Sequence, residues 1–304
     1  MKPILSIIII TYNHENEIRN CLQSIIQYLP PKLNELIIVD NHSTDHTISE
    51  IEKLKFQFKP DYISFHIIRN KINLGYTKAT NQGLVNVSGR FVLLLNPDTK
   101  ITEKSIENMI QFLSNHPEAG AVAPKLLFPN GEIQPSCRRF PKFRYLLFEV
   151  FGLSRLFKKS KVFNSWKMGD FDHQSIQVVD QPQGACLLVR REIFQSTSNL
   201  DKRFFMFFSD VDLCKRIYQL GYKIYFYPIA EIFHSKGTSI YANRTKMTWQ
   251  SHKDFIRYFL KWYKTLFGWI CNVFGIPFLL FVGFLRVGVY KLMNLIKRGN
   301  LTRS

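Results

Sequence analysis

Short apolar runs alternate with amphipathic stretches through the first half of the chain. The run Ile4-Leu5-Ser6-Ile7-Ile8-Ile9-Ile10 is almost wholly apolar, as a strand buried on both faces requires, and similar runs near 35–40, 62–68 and 90–95 predict three more. Between the first two, Ile18, Leu22, Ile25, Ile26 and Leu29 recur at helical spacing until Pro30-Pro31 ends the pattern. Ile48, Ile51, Leu54 and Phe58 repeat that stripe before the third strand. The repeating unit is βαβ, which predicts a mostly parallel, Rossmann-like α/β sheet with helices on both faces. Met1-Lys2-Pro3 leads into the first run with no small-residue cleavage site, so that run reads as a strand and not as a signal peptide.

Further along, a Ser/Thr-x-x-Glu style cap with Ile106, Met109, Ile110 and Leu113 on one face predicts a helix over 102–115, followed by a strand over 119–123. Periodicity then breaks across an insert at 131–177, and strand character resumes over 178–189. A helix over 210–220, stopped by Gly221, leads into a strand at 222–227, and by this point the sheet is expected to be mixed. The scaffold is expected to end near His234, giving one region over 1–240 and a basic, aromatic one over 241–304.

That second region holds a basic aromatic stretch, Trp249 to Tyr263, and then 21 uncharged residues from Thr265 to Leu285, just long enough to span a bilayer. Lys253, Arg257, Lys261 and Lys264 precede the run while Arg286, Lys291, Lys297 and Arg298 follow it, so no positive-inside asymmetry exists. Pro277 with Gly268, Gly275 and Gly283 favours a bent or re-entrant segment against one leaflet, and monotopic attachment is preferred to a single span.

Charge sharpens this picture. The chain of 304 residues carries 41 Lys plus Arg against 23 Asp plus Glu, a net charge of +18. Residues 138–167 hold net +8 and residues 236–304 net +11, which leaves −1 for everything else. In the insert, Phe140, Phe143, Tyr145, Phe148, Phe151 and Phe157 are interleaved with Arg138, Arg139, Lys142, Arg144 and Arg155. Such segments suit an anionic membrane surface, with a solvated basic face or a nucleic-acid backbone as competing readings and the latter disfavoured. Five cysteines, an odd number without CxxC spacing, argue against a disulfide framework or a zinc knuckle and for a reducing compartment. Together these place the chain on the cytoplasmic face of the cell membrane.

Polar clusters stand directly after the buried strands: Thr11-Tyr12-Asn13, Asp40 to Asp45, Asn70 to Gly75, and Asn96-Pro97-Asp98-Thr99. Ligands of open α/β sheets sit at that edge, although Asp45 and Thr99 also suit helix caps. No glycine-rich phosphate loop follows the first strand, which excludes dinucleotide and P-loop enzymes. A diphosphate bound without such a loop calls for a divalent cation on a carboxylate, and Asp98 is the candidate.

These motifs, in this order, resemble a family 2 glycosyltransferase of the GT-A fold over residues 4–240. Val39-Asp40-Asn41-His42-Ser43-Thr44-Asp45 resembles the family's VDN-x-S-x-D segment, and Asn73-Leu74-Gly75-Tyr76 its N-x-G-[FY] loop. Asn96-Pro97-Asp98 stands where most members carry DxD and is similar to the variant of rhamnosyltransferase-like members. Ser209-Asp210-Val211-Asp212-Leu213 stands at the ED-V-D-L helix start.

The resemblance implies that Thr11, Tyr12, Asn13, Asp40, Asn73, Gly75, Asn96 and Asp212 bind substrate. It further implies that Asp98 holds Mg²⁺ or Mn²⁺ on the diphosphate, with His234 of His234-Ser235-Lys236-Gly237-Thr238-Ser239 beside it, and that Asp210 is the general base. The implied activity is inverting transfer from a nucleotide sugar, dTDP-rhamnose or a UDP-hexose, to a glycan or lipid-linked acceptor whose diphosphate would meet Arg138. Asn96 and Ser209 replace two of the family's acids. As cap residues, Asp210 and Asp212 would gain about 0.3–1 kcal/mol from the helix dipole, so a purely structural role competes. A catalytically inactive membrane-bound scaffold is the alternative function. A sugar nucleotidylyltransferase would open with a GxGxR-type loop, which the sequence lacks.

Overall fold

The structure, a computed structural model, describes residues 3–30, 34–235 and 244–301, with side chains through residue 291. The predicted features at Met1-Lys2, Pro31 and Lys236 to Ser239, the boundary at 240, and the side chains of Lys297 and Arg298 lie outside the described residues.

The predicted alternation is present: β1 (Leu5–Thr11), α1 (Glu15–Tyr28), β2 (Asn34–Asp40), α2 (Thr47–Lys55), β3 (Ile63–Arg69), α3 (Tyr76–Val85) and β4 (Phe91–Leu95). Next come β5 (Thr99–Ile101), α4 (Ser105–Asn115) and β6 (Ala119–Leu127). The insert contributes β7 (Ile133–Gln134), β8 (Cys137–Arg138), α5 (Phe143–Val150) and α6 (Leu153–Leu156). After it run β9 (Gln177–Val178), β10 (Gln181–Pro182), β11 (Cys186–Arg190), α7 (Arg191–Ser196), α8 (Ser209–Gln219) and β12 (Lys223–His234). Two helices, α9 (Arg244–Trp262) and α10 (Leu266–Leu301), complete the described chain.

The main sheet has the order β3-β2-β1-β4-β11-β6-β12-β5, with β7 on β6 and β9 on β12. Strands β3, β2, β1 and β4 are parallel, whereas β11 is antiparallel to both β4 and β6, so the sheet is mixed as expected. Alternation along β1 divides the core. Ile7 and Ile9 join Ile18 and Leu22 of α1, Ile51 of α2 and Met109 of α4 on one face. Ile8 and Ile10 join Ala79 of α3, Phe194 of α7 and Leu213 of α8 on the other. Each of these Ile, Leu, Met and Phe side chains contributes roughly 1.5–3 kcal/mol on burial. This is a GT-A architecture with an apolar C-terminal helix.

Several elements depart from the sequence reading. Residues 99–101, just ahead of the predicted helix at 102–115, pair with β12 as β5, and that helix begins only at Ser105. No side chain caps that helix; its first turn follows Lys104, and the Thr102 hydroxyl donates instead to the Glu231 carbonyl at 2.7 Å. Strands β6 and β12 run past Pro124 and Pro228, where the sequence reading stopped them; a bulge between Tyr227 and Glu231 absorbs the irregularity. The stretch 178–189 is three short strands.

The C-terminal region differs too. Residues 266–301 form one helix that continues through Pro277, not a re-entrant segment. Part of the insert's aromatic set is consumed in a third core. Leu146 of α5 packs with Phe204, Phe208, Val211 and α9 residues Phe255, Tyr258 and Phe259, and Phe143 stacks on Phe259 at 3.8 Å between centroids. Phe151 and Phe157 remain exposed.

Candidate active site

The ends of β1, β2 and β4 and the start of α8 open on one cavity of about 550 Å³, within the range for ligand sites. Thr11, Tyr12, Asn73, Gly75, Asn96 and Asp98 line it, as do His234 and Asp210 from the other end of the chain. Two carboxylates 112 positions apart in sequence therefore face one space.

The loops that form this space are cross-tied. Thr11 and Asp40 pair in register at the ends of β1 and β2, and the Asn41 amide donates to the Thr11 carbonyl at 2.8 Å. The Asn41 side chain donates to Asn73 Oδ1 at 3.0 Å and accepts from the Leu74 amide at 2.9 Å, fixing the loop before α3. Gly75 has φ +81°, and a Cβ there would meet the Phe205 ring and carbonyl at 2.6 Å, so only glycine fits.

Asp98 sits in a turn after β4 whose backbone is held on both sides: the Asn96 amide donates to the Ala185 carbonyl at 2.8 Å, and the Ser235 amide to the Asp98 carbonyl at 2.9 Å. His234 Nε2 lies 3.4 Å from Asp98 Oδ1. His234 Nδ1 lies 2.7 Å from Oε1 of the fully buried Gln134, which accepts the Nδ1 proton and so aims Nε2 at Asp98. Burial disfavours the Asp98 charge, but His234 and His14 outweigh it and hold the carboxyl below its ordinary range.

Asp210 is the second residue of α8. Its Oδ1 accepts from the Val211 amide at 2.9 Å and its Oδ2 from the Gly184 amide at 3.2 Å. Gly184 permits that approach, since a Cβ there would stand 2.9 Å from Oδ2. Burial raises the Asp210 pKa despite these amides and the nearby Arg138 charge. A carboxylate so placed suits proton acceptance near neutral pH.

Four residues expected to bind substrate do not line the cavity. Asn13 is exposed and bridges loops, with its amide donating to Ser43 Oγ at 2.9 Å and its Oδ1 accepting from the Thr44 amide at 2.8 Å. Asp40 is buried, with Oδ2 accepting from the Ser43 amide at 3.1 Å. Asp212 is fully buried and bound by Arg216 at 2.9 Å, Lys261 at 2.5 Å and Trp262 Nε1 at 2.9 Å. Arg138 lies over the Trp166 ring at 5.3 Å, and its charge acts on Asp210 from within the protein.

The sequence reading gave no role to other lining residues: His14, Gln183, Gly184, Lys246 and Met247. His14 lies close enough to Asp98 for their charges to interact. No local motif marks Gln134 or Lys246, which arrive through the tertiary fold.

A divalent cation fits the pair. A carboxylate oxygen and an imidazole nitrogen meet on the cavity wall, and Mg²⁺ and Mn²⁺ commonly take their remaining positions from phosphate oxygens and water. Among the described residues no group of three or more His, Cys, Asp or Glu donors forms a complete cage, so the diphosphate itself would supply the rest.

Residues 6–163, just over half of the chain, match the family described as glycosyl transferase family 2. The chain is 26% identical over 254 residues to the N-acetylglucosaminyl-diphospho-decaprenol L-rhamnosyltransferase of Mycobacterium tuberculosis, covering 79% of this chain and 78% of that one. It is 24% identical over 260 residues to the low-salt glycan biosynthesis hexosyltransferase Agl10 of Haloferax volcanii, covering 84% and 74%. The mannosyltransferase PcManGT of Pyrobaculum calidifontis, solved with GDP-Man and Mn²⁺, shares the fold with a TM-score of 0.59 at 16% identity over 99% of this chain and 81% of that one.

Proposed function

The chain belongs to glycosyl transferase family 2 and is a glycosyltransferase, and on that premise we propose that it moves a sugar, with inversion, from a nucleoside diphosphate to a hydroxyl of a lipid-linked acceptor. The observation that carries the reading is the shared cavity of Asp98 and Asp210. Asp98 and His234 would hold Mg²⁺ or Mn²⁺, which when bound neutralises charge building on the leaving diphosphate. Asp210 accepts the proton of the acceptor hydroxyl as that oxygen attacks the anomeric carbon and the bond to the diphosphate oxygen breaks. In-line attack from the side opposite the leaving group gives inversion without a covalent intermediate. Gly75 and Asn73 set the loop that borders the donor, and Asp40, Asn13 and Asn41 hold the ends of β1 and β2 in register beneath it.

Rhamnose on dTDP is the proposed donor, supported by the Asn96-Pro97-Asp98 turn and by the mycobacterial relative, which acts on a diphospho-decaprenol acceptor.

Attachment to the cytoplasmic face of the membrane is part of the proposal. Among the described residues one helix, over Leu266–Lys291, is long and apolar enough to cross a bilayer. Its Leu279 and Val282 are buried against the protein, while Phe267, Ile270, Phe274, Phe281 and Phe284, spaced by threes, fours and sevens, are exposed. A helix with one protein-bound face and one bare apolar face favours lying in a leaflet over spanning it. Incubation with dTDP-rhamnose, UDP-hexoses and a polyprenyl-diphosphate sugar, with Mg²⁺ or Mn²⁺, tests the assignment; transfer from dTDP-rhamnose to the lipid supports it, and transfer to water-soluble acceptors alone refutes the lipid reading.

A further inference from the structure

Asp210 stands between two anchors on a single helix, α9. Ahead of it, the backbone of residues 205–208 turns into α8 through Phe208, a non-glycine residue at φ +66°. Such a conformation is costly and persists only where the surroundings impose it. Asp254 of α9 holds the three residues ahead of Phe208. Fully buried, it accepts the Phe205 amide on Oδ1 at 3.4 Å and the Met206 and Phe207 amides on Oδ2 at 3.3 and 3.1 Å. Gln250 at 3.0 Å and Arg257 at 2.7 Å orient the same carboxylate. Beyond Asp210, α9 grips Asp212 through Lys261 and Trp262. The N-terminal turn of α9 reaches the cavity itself, where Lys246 and Met247 line the wall.

Packing alone does not call for this arrangement. Phe255, Tyr258 and Phe259 already bury an apolar seam against Phe208 and Val211. A buried charge is costly unless several donors converge on it, and an apolar residue of similar size would have served the seam as well. What three converging amides add is one selected path for the backbone that delivers Asp210.

We propose that Asp254 is a positioning residue for the transfer step: by binding the amides of residues 205–207 it sets the loop that carries the Asp210 carboxylate into the cavity. The proposal rests on the reading of Asp210 as the base. It makes α9 a working part of the catalytic centre as well as a link to the membrane helix.

Asp254→Asn keeps the volume and one acceptor oxygen but turns an NH₂ group toward the converging amides. The measurements are kcat, donor KM, affinity for the nucleoside diphosphate, and amide hydrogen exchange. The expected result is a kcat lower by about tenfold or more, with donor KM and nucleotide affinity within about twofold. Exchange at Phe205, Met206 and Phe207 should quicken while β1 and β4 stay protected. Trp262→Phe, which removes the bond to Asp212 while keeping an aromatic ring beside Lys215 and Lys261, should lower kcat by a smaller factor. A kcat within about twofold of wild type while the 205–207 amides are released would overturn the proposal, and so would loss of protection throughout β1 and β4, which would make Asp254 a folding residue. Asp210→Asn measured in parallel separates the two readings: if it retains turnover the base assignment falls, and this proposal with it, whereas if only Asp254→Asn retains turnover the positioning role alone falls.

Discussion

His234 Nε2 lies 3.4 Å from Asp98 Oδ1 across the cavity wall. The ring is aimed by Gln134, whose carbonyl oxygen is 2.7 Å from Nδ1. Where a histidine binds a metal, a partner on its other nitrogen typically contributes 10–100-fold in metal affinity, and the proposed role of His234 gives Gln134 that place. Asp98→Asn is expected to lower both Mn²⁺ affinity and turnover by about 10²-fold or more, and Gln134→Met to weaken Mn²⁺ binding by roughly tenfold. Titration of Mn²⁺ by electron paramagnetic resonance, with a nucleoside diphosphate present, checks both. Unchanged affinity in Asp98→Asn would remove the metal assignment.

Asp210→Asn is expected to reduce turnover by at least about 10²-fold while nucleotide affinity stays within about twofold. Steady-state kinetics beside calorimetric nucleotide binding separate the two effects. Turnover equal to wild type rules out Asp210 as the base.

The acid side of the pH profile follows from the same residue. A base works only when deprotonated, and burial raises the Asp210 pKa above its ordinary value of 3.8, so kcat should fall with decreasing pH before an exposed carboxylate would titrate. The titrating neighbours Tyr76 and Cys214 are themselves shifted upward by burial and stay neutral in this range. Arg138 works in the opposite direction by favouring the charged carboxylate. Arg138→Met should therefore move the acid limb to higher pH, read as kcat at saturating donor and acceptor; a limb that stays in place contradicts the pairing.

Gly75→Ala should be destabilising, since the residue is held at φ +81° and a Cβ would press on Phe205 at 2.6 Å. Strain of roughly 1–3 kcal/mol is expected, visible as a lower Tm, with a raised donor KM because Phe205 belongs to the cavity wall. An unchanged Tm would show that the loop relaxes freely.

Phe274→Ser with Phe281→Ser removes two exposed rings from the outer face of α10. Binding to phosphatidylglycerol vesicles should weaken by at least about tenfold, while transfer to a short-chain soluble acceptor is retained. Flotation of the wild type and the double variant reads this directly, and equal flotation would place the membrane contact elsewhere.

The left half of the sheet was legible because β1, β2 and β4 are buried on both faces and so are written as unbroken apolar runs. Strands β6 and β12 continue past Pro124 and Pro228, and nothing local in the sequence marks the bulge between Tyr227 and Glu231 that accommodates them. Asp98 stands out by its place at a strand end, whereas Asp210 is singled out only by the resemblance of residues 209–213 to the family's ED-V-D-L start, since its place at a helix start suits a cap equally well. Asp212 shares that helix start, yet its carboxylate is committed to Arg216, Lys261 and Trp262, partners up to 50 positions away. Gln134, 100 positions from His234, was invisible for the same reason: a lone amide has no periodicity, and only the closed fold reveals what it faces.

The third hydrophobic cluster has a practical corollary for anyone trimming this enzyme at its C-terminal end. Deleting everything from Arg244 onward removes the greasy tail, but it also strips Phe255, Tyr258 and Phe259 from Phe204, Phe208 and Val211. The shortened polypeptide would carry a raw apolar wound around residues 204–211, beside Asp210, and is expected to clump through it.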